Sequence, residues 1–479
     1  MSKKSITPLF FIRRCALFSA ALCFASVVVT GCDKKEEKRA SYDVSLRFED
    51  NVVEGVMNYR FGDAPRDKEV MKFVLYANAY REDAKYRPYE EGDEKKFFAS
   101  GISYGGIYID SVTSDGKTLD NELIGEDKNV LSINTKEAGD VLEIKFSVLV
   151  PEANGRLGIN GGRINLGDLL PAACVYENGG YAESVYSAFG DPYYSEACDY
   201  SVSITLPSEY VAASSGFPEL TEAGDTSTTY SYSLKGGRDF AFVLGKEFSV
   251  CEKEISGIKI SYYADVQDEE GLELAADCIR FFSETFGDYP YSSFSVAETG
   301  LNAAGMEYSG MCFIANDLSA EEKRAAIIHE VAHEWWHGGV GNDQVRAAFI
   351  DEGLAEYSAY LYIASRYGED AADAMTENAK SAYKSFFSLK DLLAGNADTS
   401  MTRSLYNFSG KYEYVNVAYN KSLIMFKEYE NTFGRDKCVK RLKKMYGENL
   451  YKNVTPDSLI DYLGAEDFFR SYFDGKVLI

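Results

Sequence analysis

From about Tyr42 to Gly245, apolar and polar residues alternate in short runs: SYDVSLRF, VMNYRFG, LEIKFSVLV, YSVSITL and STTYSYSL. A period of two puts one face of each run toward a core and the other toward water, which predicts half-buried β-strands. Turn signals separate them at Asp115–Gly116, Ala153–Gly155 and Gly161–Gly162. Long helical periods are absent, so this stretch predicts an antiparallel sandwich or saddle-shaped sheet. Past Gly245 the pattern changes. One or two strands between Val250 and Ala264 lead into Asp268–Phe286, whose apolar spacing predicts a helix stopped by Gly287. Tyr289 and Pro290 break that period, and Ser292–Glu298 predicts a further strand. From Ala371 on, the sequence reads as mostly helical. The expectation is an α+β multidomain chain, with a β domain over 42–248 and a mainly helical domain over 249–479.

The helical half contains all three histidines of the chain, His329, His333 and His337, within the stretch IIHEVAHEWWHGG. Ser319–Glu322 reads as a capping box, with Ser319 as N-cap and Glu322 reaching back. Ala325, Ala326, Ile327, Ile328, Val331 and Ala332 then give an apolar body suited to a buried helix, and Gly338–Gly339 supply a stop. Residues four apart on a helix lie about 40° apart around the axis, so His329 and His333 present two imidazoles on one face. Zinc suits nitrogen ligands in tetrahedral geometry. Glu330, offset by about 100° from His329, leans toward the cation without being forced onto it. A carboxylate there can take a proton from an attacking water. His-Glu-x-x-His on a helix is a metallopeptidase signature whose specificity depends on context. Glu352, eighteen intervening residues past His333, opens a second amphipathic run and offers the third ligand of a two-His, one-Glu set. Glu356, one turn on, is placed to accept a histidine N–H behind the ligands.

HEVAHEWWHGG followed by FIDEGLAEY at this spacing resembles the aminopeptidase N type of gluzincin zinc peptidases. Upstream, Ala304–Tyr308 is similar to that family's Gly-x-Met-Glu-Asn element in its Gly-Met-Glu-Tyr form. Downstream, Val417–Ser422 resembles the segment with the family's catalytic tyrosine, usually Tyr-x-Lys-Gly. The resemblance runs from about residue 42 to the C-terminus. It implies an N-terminal β domain, a thermolysin-like catalytic domain closed by FFRSYFDGKVLI, and no C-terminal helical superhelix of the kind larger members carry. It also implies one zinc per chain and hydrolysis of a peptide bond near a free N-terminus.

On that resemblance His329, His333 and Glu352 hold the zinc and Glu330 is the general acid–base. Tyr419 stabilises the oxyanion, and Gly305, Met306 and Glu307 bind substrate, with Glu307 holding the α-ammonium. Tyr308 replaces the usual Asn and Ser422 the usual Gly. Without the resemblance, Glu307 is a polar strand residue and Tyr419 one of 36 tyrosines. His337 fits neither the family pattern nor a third-histidine spacing and reads as a pocket-wall or packing residue. The alternatives are a zinc endopeptidase of the same fold and a catalytically inactive peptide-binding lipoprotein.

Lys3, Lys4, Arg13 and Arg14 precede an uncharged stretch from Cys15 to Gly31, and Val29–Cys32 fits a bacterial lipobox. This predicts an export signal over 1–31, lipid attachment at Cys32 and a charged tether through residue 41 of at most roughly 30 Å. An uncleaved anchor is the alternative. Either way the body would face outward at a bacterial membrane. Losing the four positive charges of the signal moves the net charge from −25 to −29, which argues against nucleic acid as a partner. Cationic peptide N-termini suit that surface, as does a general solubility role. Of the nine cysteines, Cys174, Cys198, Cys251, Cys278, Cys312 and Cys438 remain beyond the lipobox, with no CxxC zinc pattern and no pairing legible.

Overall fold

The computed structural model describes residues 38–475 apart from 99, 396 and 397, so the expected export signal, Cys32 and most of the tether lie outside it. Among the described residues, no helix is long and apolar enough to cross a membrane.

All five alternating runs enter one eight-stranded sheet, as Ser41–Glu49, Val52–Arg60, Val141–Leu149, Cys198–Pro207 and Ser227–Gly237. Their inward faces supply Val44, Leu46, Met57, Ile144, Phe146, Val202 and Ile204 to the core. The sheet is not wholly antiparallel. Ser41–Glu49 runs parallel to Cys198–Pro207, in register from Ser41 opposite Asp199 to Arg47 opposite Thr205. Parallel neighbours need a long crossover, and the chain between residues 60 and 198 provides it. That crossover contributes to two four-stranded sheets. One orders Val211–Ser214, Phe242–Gly245, Arg163–Leu166 and Leu157–Asn160; the other orders Ala172–Ala173, Val70–Val74, Val130–Asn134 and Asn121–Ile124. Phe242–Gly245 and Arg163–Leu166 are buried along their whole length, which removes the alternation that made the other strands legible.

A five-stranded mixed sheet follows, in the order Ser249–Ile255, Ile258–Ala264, Ser293–Thr299, Met311–Ala315, Gly305–Tyr308. Gly305–Tyr308 is its antiparallel edge, joined to Met311–Ala315 by the two-residue turn Ser309–Gly310. Gly310 at φ +73° takes the left-handed conformation this turn requires. The helix Glu269–Phe286 starts at Asp268, whose carboxylate accepts from Gly271 N at 2.8 Å. The helix Ala320–Ala332 carries the capping box. Ser319 Oγ accepts from Glu322 N at 3.3 Å, and the Glu322 carboxylate accepts from Ser319 N at 2.9 Å.

The α-helix does not run on to Gly338, as its sequence suggests. It ends at Ala332, and Glu334–Gly339 forms a wider π turn in which Trp336 leaves helical geometry at φ −113°, ψ 37°. This turn buries both tryptophans. Trp335 donates to Gly287 O at 2.9 Å and packs on Phe282 at 5.5 Å between ring centroids; Trp336 donates to Ser358 Oγ at 2.8 Å and packs on Phe286 at 5.0 Å. Two anchored indoles of this kind fix the direction in which the chain leaves the helix. The helices Asp351–Tyr367, Glu369–Ala394, Lys421–Phe433 and Arg435–Asn449 follow, with a second π turn at Val415–Asn420, and the short helices Pro456–Leu463 and Glu466–Phe473 come last. All six cysteines beyond the lipobox are buried and unpaired.

Candidate active site

Burial of the apolar body of Ala320–Ala332 leaves one side of that helix facing the neighbouring helix Asp351–Tyr367. His329 Nε2 there lies 3.0 Å from His333 Nε2 and 3.2 Å from Glu352 Oε2, and His333 Nε2 lies 3.4 Å from the same oxygen. Zinc bonded at its usual 2.0–2.1 Å would space tetrahedral ligands about 3.3–3.4 Å apart. The three atoms therefore stand near three corners of such a tetrahedron, the two imidazole nitrogens slightly closer together, and the donor set fits the ion. Although burial opposes it, hydrogen bonds donated to the carboxylates of Glu352 and Glu356 hold His329 well above its ordinary pKa. Burial also works against the carboxylate of Glu352, yet its two histidine partners keep it far below the usual range. Glu356 Oε1 stands 3.0 Å from His329 Nδ1, on the side away from the ligand cluster.

Glu330 is buried, with Oε2 lacking any hydrogen-bond partner among the described residues. An unpaired buried carboxylate oxygen is costly. Burial raises the Glu330 pKa to about 8, the histidines opposing and Glu307 adding to the shift. Glu307, Glu330 and His333 bring ligand-type atoms within 4.8 Å of one another, as His329, His333 and Glu352 do. Gly305 explains how Glu330 fits. A Cβ on Gly305 would lie 2.3 Å from Glu330 Oε1 and 2.6 Å from its Cγ and Cδ, so the edge strand approaches the helix only because position 305 has no side chain.

Glu307 Oε1 accepts from Gln344 Nε2 at 3.0 Å, and the same nitrogen donates to Asp351 Oδ2 at 2.7 Å. Asn342 Nδ2 donates to Asp351 Oδ1 at 2.8 Å. One amide thus orients Glu307 against the start of the Glu352 helix. Met306, also on the cleft wall, is buried with Ala213, Val243 and Phe313, tying the strand to the β domain. Tyr419 sits on the second π turn, its O–H donating to Glu352 Oε1, while Tyr414 O–H reaches the same oxygen at 3.5 Å. Burial and the Glu352 charge both raise the Tyr419 pKa, so the phenol stays protonated as a donor.

Gly305, Met306, Glu307, His329, Glu330, His333, Glu352, Tyr414 and Tyr419 line one cleft enclosing about 800 Å³ with its open mouth. Its other wall comes from the β domain: Tyr80, Phe97, Arg156, and the loop from Tyr186 to Asp191. Asp191 is ion-paired to Arg156 and buried. Burial raises its pKa, Arg156 lowers it, and Glu307 and Glu352 push it up again. Asp191, Gln344, Asp351 and Tyr414 carried no sequence signal of their own. Only their positions beside quoted motifs, Asp351 next to Glu352 and Tyr414 five before Tyr419, could have hinted at them. His337 does not line the cleft. It is buried with Nε2 2.8 Å from Asp239 Oδ2, so of the two roles expected for it, pocket wall or packing, it takes the packing one.

Residues 270–471 match the sequence model of the Peptidase family M1 domain. A search of curated proteins found no match. Among solved structures, an M1 zinc metallopeptidase from Deinococcus radiodurans is similar over 93% of this chain and 96% of its own, at 15% identity and a TM-score of 0.61. A mutant of it bound to a Tyr-Ser-Ala substrate aligns over 92% and 95%, at 14% identity and a TM-score of 0.61.

Proposed function

We propose, from the premise that residues 270–471 are an M1 peptidase domain and the chain a zinc metallopeptidase, that it is an aminopeptidase binding one zinc through His329, His333 and Glu352. The observation that carries the aminopeptidase reading is the position of Glu307. Its carboxylate sits on an edge strand, within 4.8 Å of the general-base candidate Glu330 and of His333, with Asp191 in the facing loop. Two buried acids beside a metal site suit a free α-ammonium. Holding that charge fixes which carbonyl reaches the reacting position. The unpaired side of Gly305–Tyr308 can take an extended peptide as an added strand.

Zinc, when bound, supplies a Lewis acid that polarises the scissile carbonyl and acidifies water. Glu330 Oε2 takes the proton of the attacking water and later delivers it to the leaving amine, a double task suited to a buried carboxyl whose pKa is raised by desolvation. Tyr419 O–H turns from Glu352 to the developing oxyanion, a contact that strengthens only as negative charge forms. Glu356 keeps His329 in the tautomer that leaves Nε2 free. Gln344 holds Glu307 in place. The N-terminal export signal and lipidated Cys32 read from sequence put this activity at the outer face of a bacterial membrane, with peptides as partners.

The test compares aminoacyl reporters with their N-acetylated forms, with and without chelator. Cleavage of the free-amine forms should vanish on zinc removal and return with zinc. Glu307→Ala should lower kcat/KM for free-amine substrates by about 10²-fold, as expected for a buried charge contact. Equal cleavage of blocked and unblocked substrates by the native enzyme would replace this reading with an endopeptidase.

A further inference from the structure

The two parts of this site are held at their mutual distance from outside. Glu307 lies on the strand Gly305–Tyr308, and the turn Ser309–Gly310 follows it directly. His333 is followed directly by the π turn Glu334–Gly339. A dipeptide of the β domain, Arg238–Asp239, is bonded to both. Arg238 N donates to Ser309 Oγ at 2.9 Å and Ser309 N donates to Asp239 Oδ1 at 2.7 Å, a reciprocal clasp. The other oxygen of the same carboxylate, Oδ2, stands 2.8 Å from His337 Nε2. Glu334 closes the figure, its Oε2 accepting from Gly310 N at 3.0 Å. The Arg238 guanidinium is fixed in turn by Ser195 O at 2.8 Å, Asn453 Oδ1 at 2.6 Å and Lys452 O at 2.8 Å.

We propose that Asp239 is a positioning residue that sets the distance between the amine anchor Glu307 and the metal ligands, joining the hairpin turn to the π turn through its two carboxylate oxygens. This rests on the aminopeptidase reading, because the distance matters only for a substrate gripped at both points. An amino acid spans amine and carbonyl with one carbon between them, so its grip is sensitive to displacements well below 1 Å in a way that a ligand of the metal alone is not. Asp239 touches neither substrate nor cation. Its effect should therefore appear as a split between ligands rather than as a loss of the site.

The experiment measures inhibition of the zinc-loaded, full-length enzyme by leucine, which needs both grips, and by acetohydroxamate, which needs only the metal. Asp239→Ala should raise the Ki for leucine and the KM of a leucyl reporter about tenfold, with acetohydroxamate inhibition and zinc content within about twofold of native. Asp239→Asn keeps an oxygen for Ser309 N–H and a polar group for His337, and should recover most of the loss. If Asp239→Ala does not fold, His337→Gln, which perturbs only the metal-side contact, should show the same split. Equal weakening of both inhibitors, or leucine binding unchanged in these variants, would overturn the proposal. A native enzyme that does not distinguish leucine from N-acetylleucine would sink the aminopeptidase reading and this inference with it. A native enzyme that does distinguish them, alongside an Asp239→Ala variant that does so equally well, would sink the inference alone.

Discussion

A single methyl group decides whether Glu330 can stay where it is. With a Cβ on Gly305 standing 2.3 Å from Glu330 Oε1, either the strand or the carboxylate must move. Gly305→Ala should retain zinc and lower kcat by about 10²-fold or more, the range for losing a positioned general base; kinetics with metal analysis checks it, and normal kcat would show that Glu330 need not occupy this position. At this scale the sequence was informative where the chemistry is local. His329 and His333 fall on adjacent turns of one helix, so their spacing alone implies a shared face, with Glu330 offset by about 100° beside it. Gln344 and Asp191 were not legible because their roles come from contacts across the fold, with Glu307 and Arg156, that no spacing encodes.

Elements were legible in proportion to how one-sided their burial is. Ser41–Glu49 alternates cleanly, whereas Phe242–Gly245 is buried throughout and looks no different from the interior of a helix. The two π turns were invisible for another reason: they arise from where Trp335, Trp336 and the residues around Tyr419 must pack, not from local preference. Lys421 shows how one element start is tied down. It is fully buried at the head of Lys421–Phe433, donating to Thr399 O at 2.6 Å and Tyr472 O at 2.9 Å. Burial, with Arg403 adding to it, lowers its pKa to about 7, against about 10.4 in an unfolded chain. Between those values the unfolded state binds more protons, so this residue's contribution is present above about pH 10 and is lost as pH falls through 7. Unfolding midpoints at several pH values should show the native protein gaining on Lys421→Met as pH rises from 7 to 10. A constant difference would mean that Lys421 is not neutral in the folded state.

At the scale of the whole molecule, Lys38–Ile479 forms one compact unit, and one apolar core runs from Tyr42 to Phe473. Polar ties cross the β and helical halves as well. Tyr406 O–H donates to Val185 O at 2.8 Å and accepts from Val185 N at 3.0 Å; Glu90 accepts from Lys411 N at 3.0 Å. Unfolding should accordingly be a single cooperative transition, with calorimetric and van't Hoff enthalpies agreeing. Two resolved transitions would mean that the halves are thermodynamically separable. The two-part α+β layout was legible from the change of period near residue 245. The parallel pairing of the first strand with Cys198–Pro207 was not, because alternation specifies a strand's faces and leaves its neighbour open.

The segment Val415–Asn420 accommodates one residue more than ordinary helix would in the same span. Shortening it by a single position would let the chain settle into regular coiling and carry the ring of Tyr419 about 100° around the axis, away from Glu352. Such a deletion could leave the protein sturdier and idle, which makes chain length here, as much as residue identity, a determinant of the chemistry.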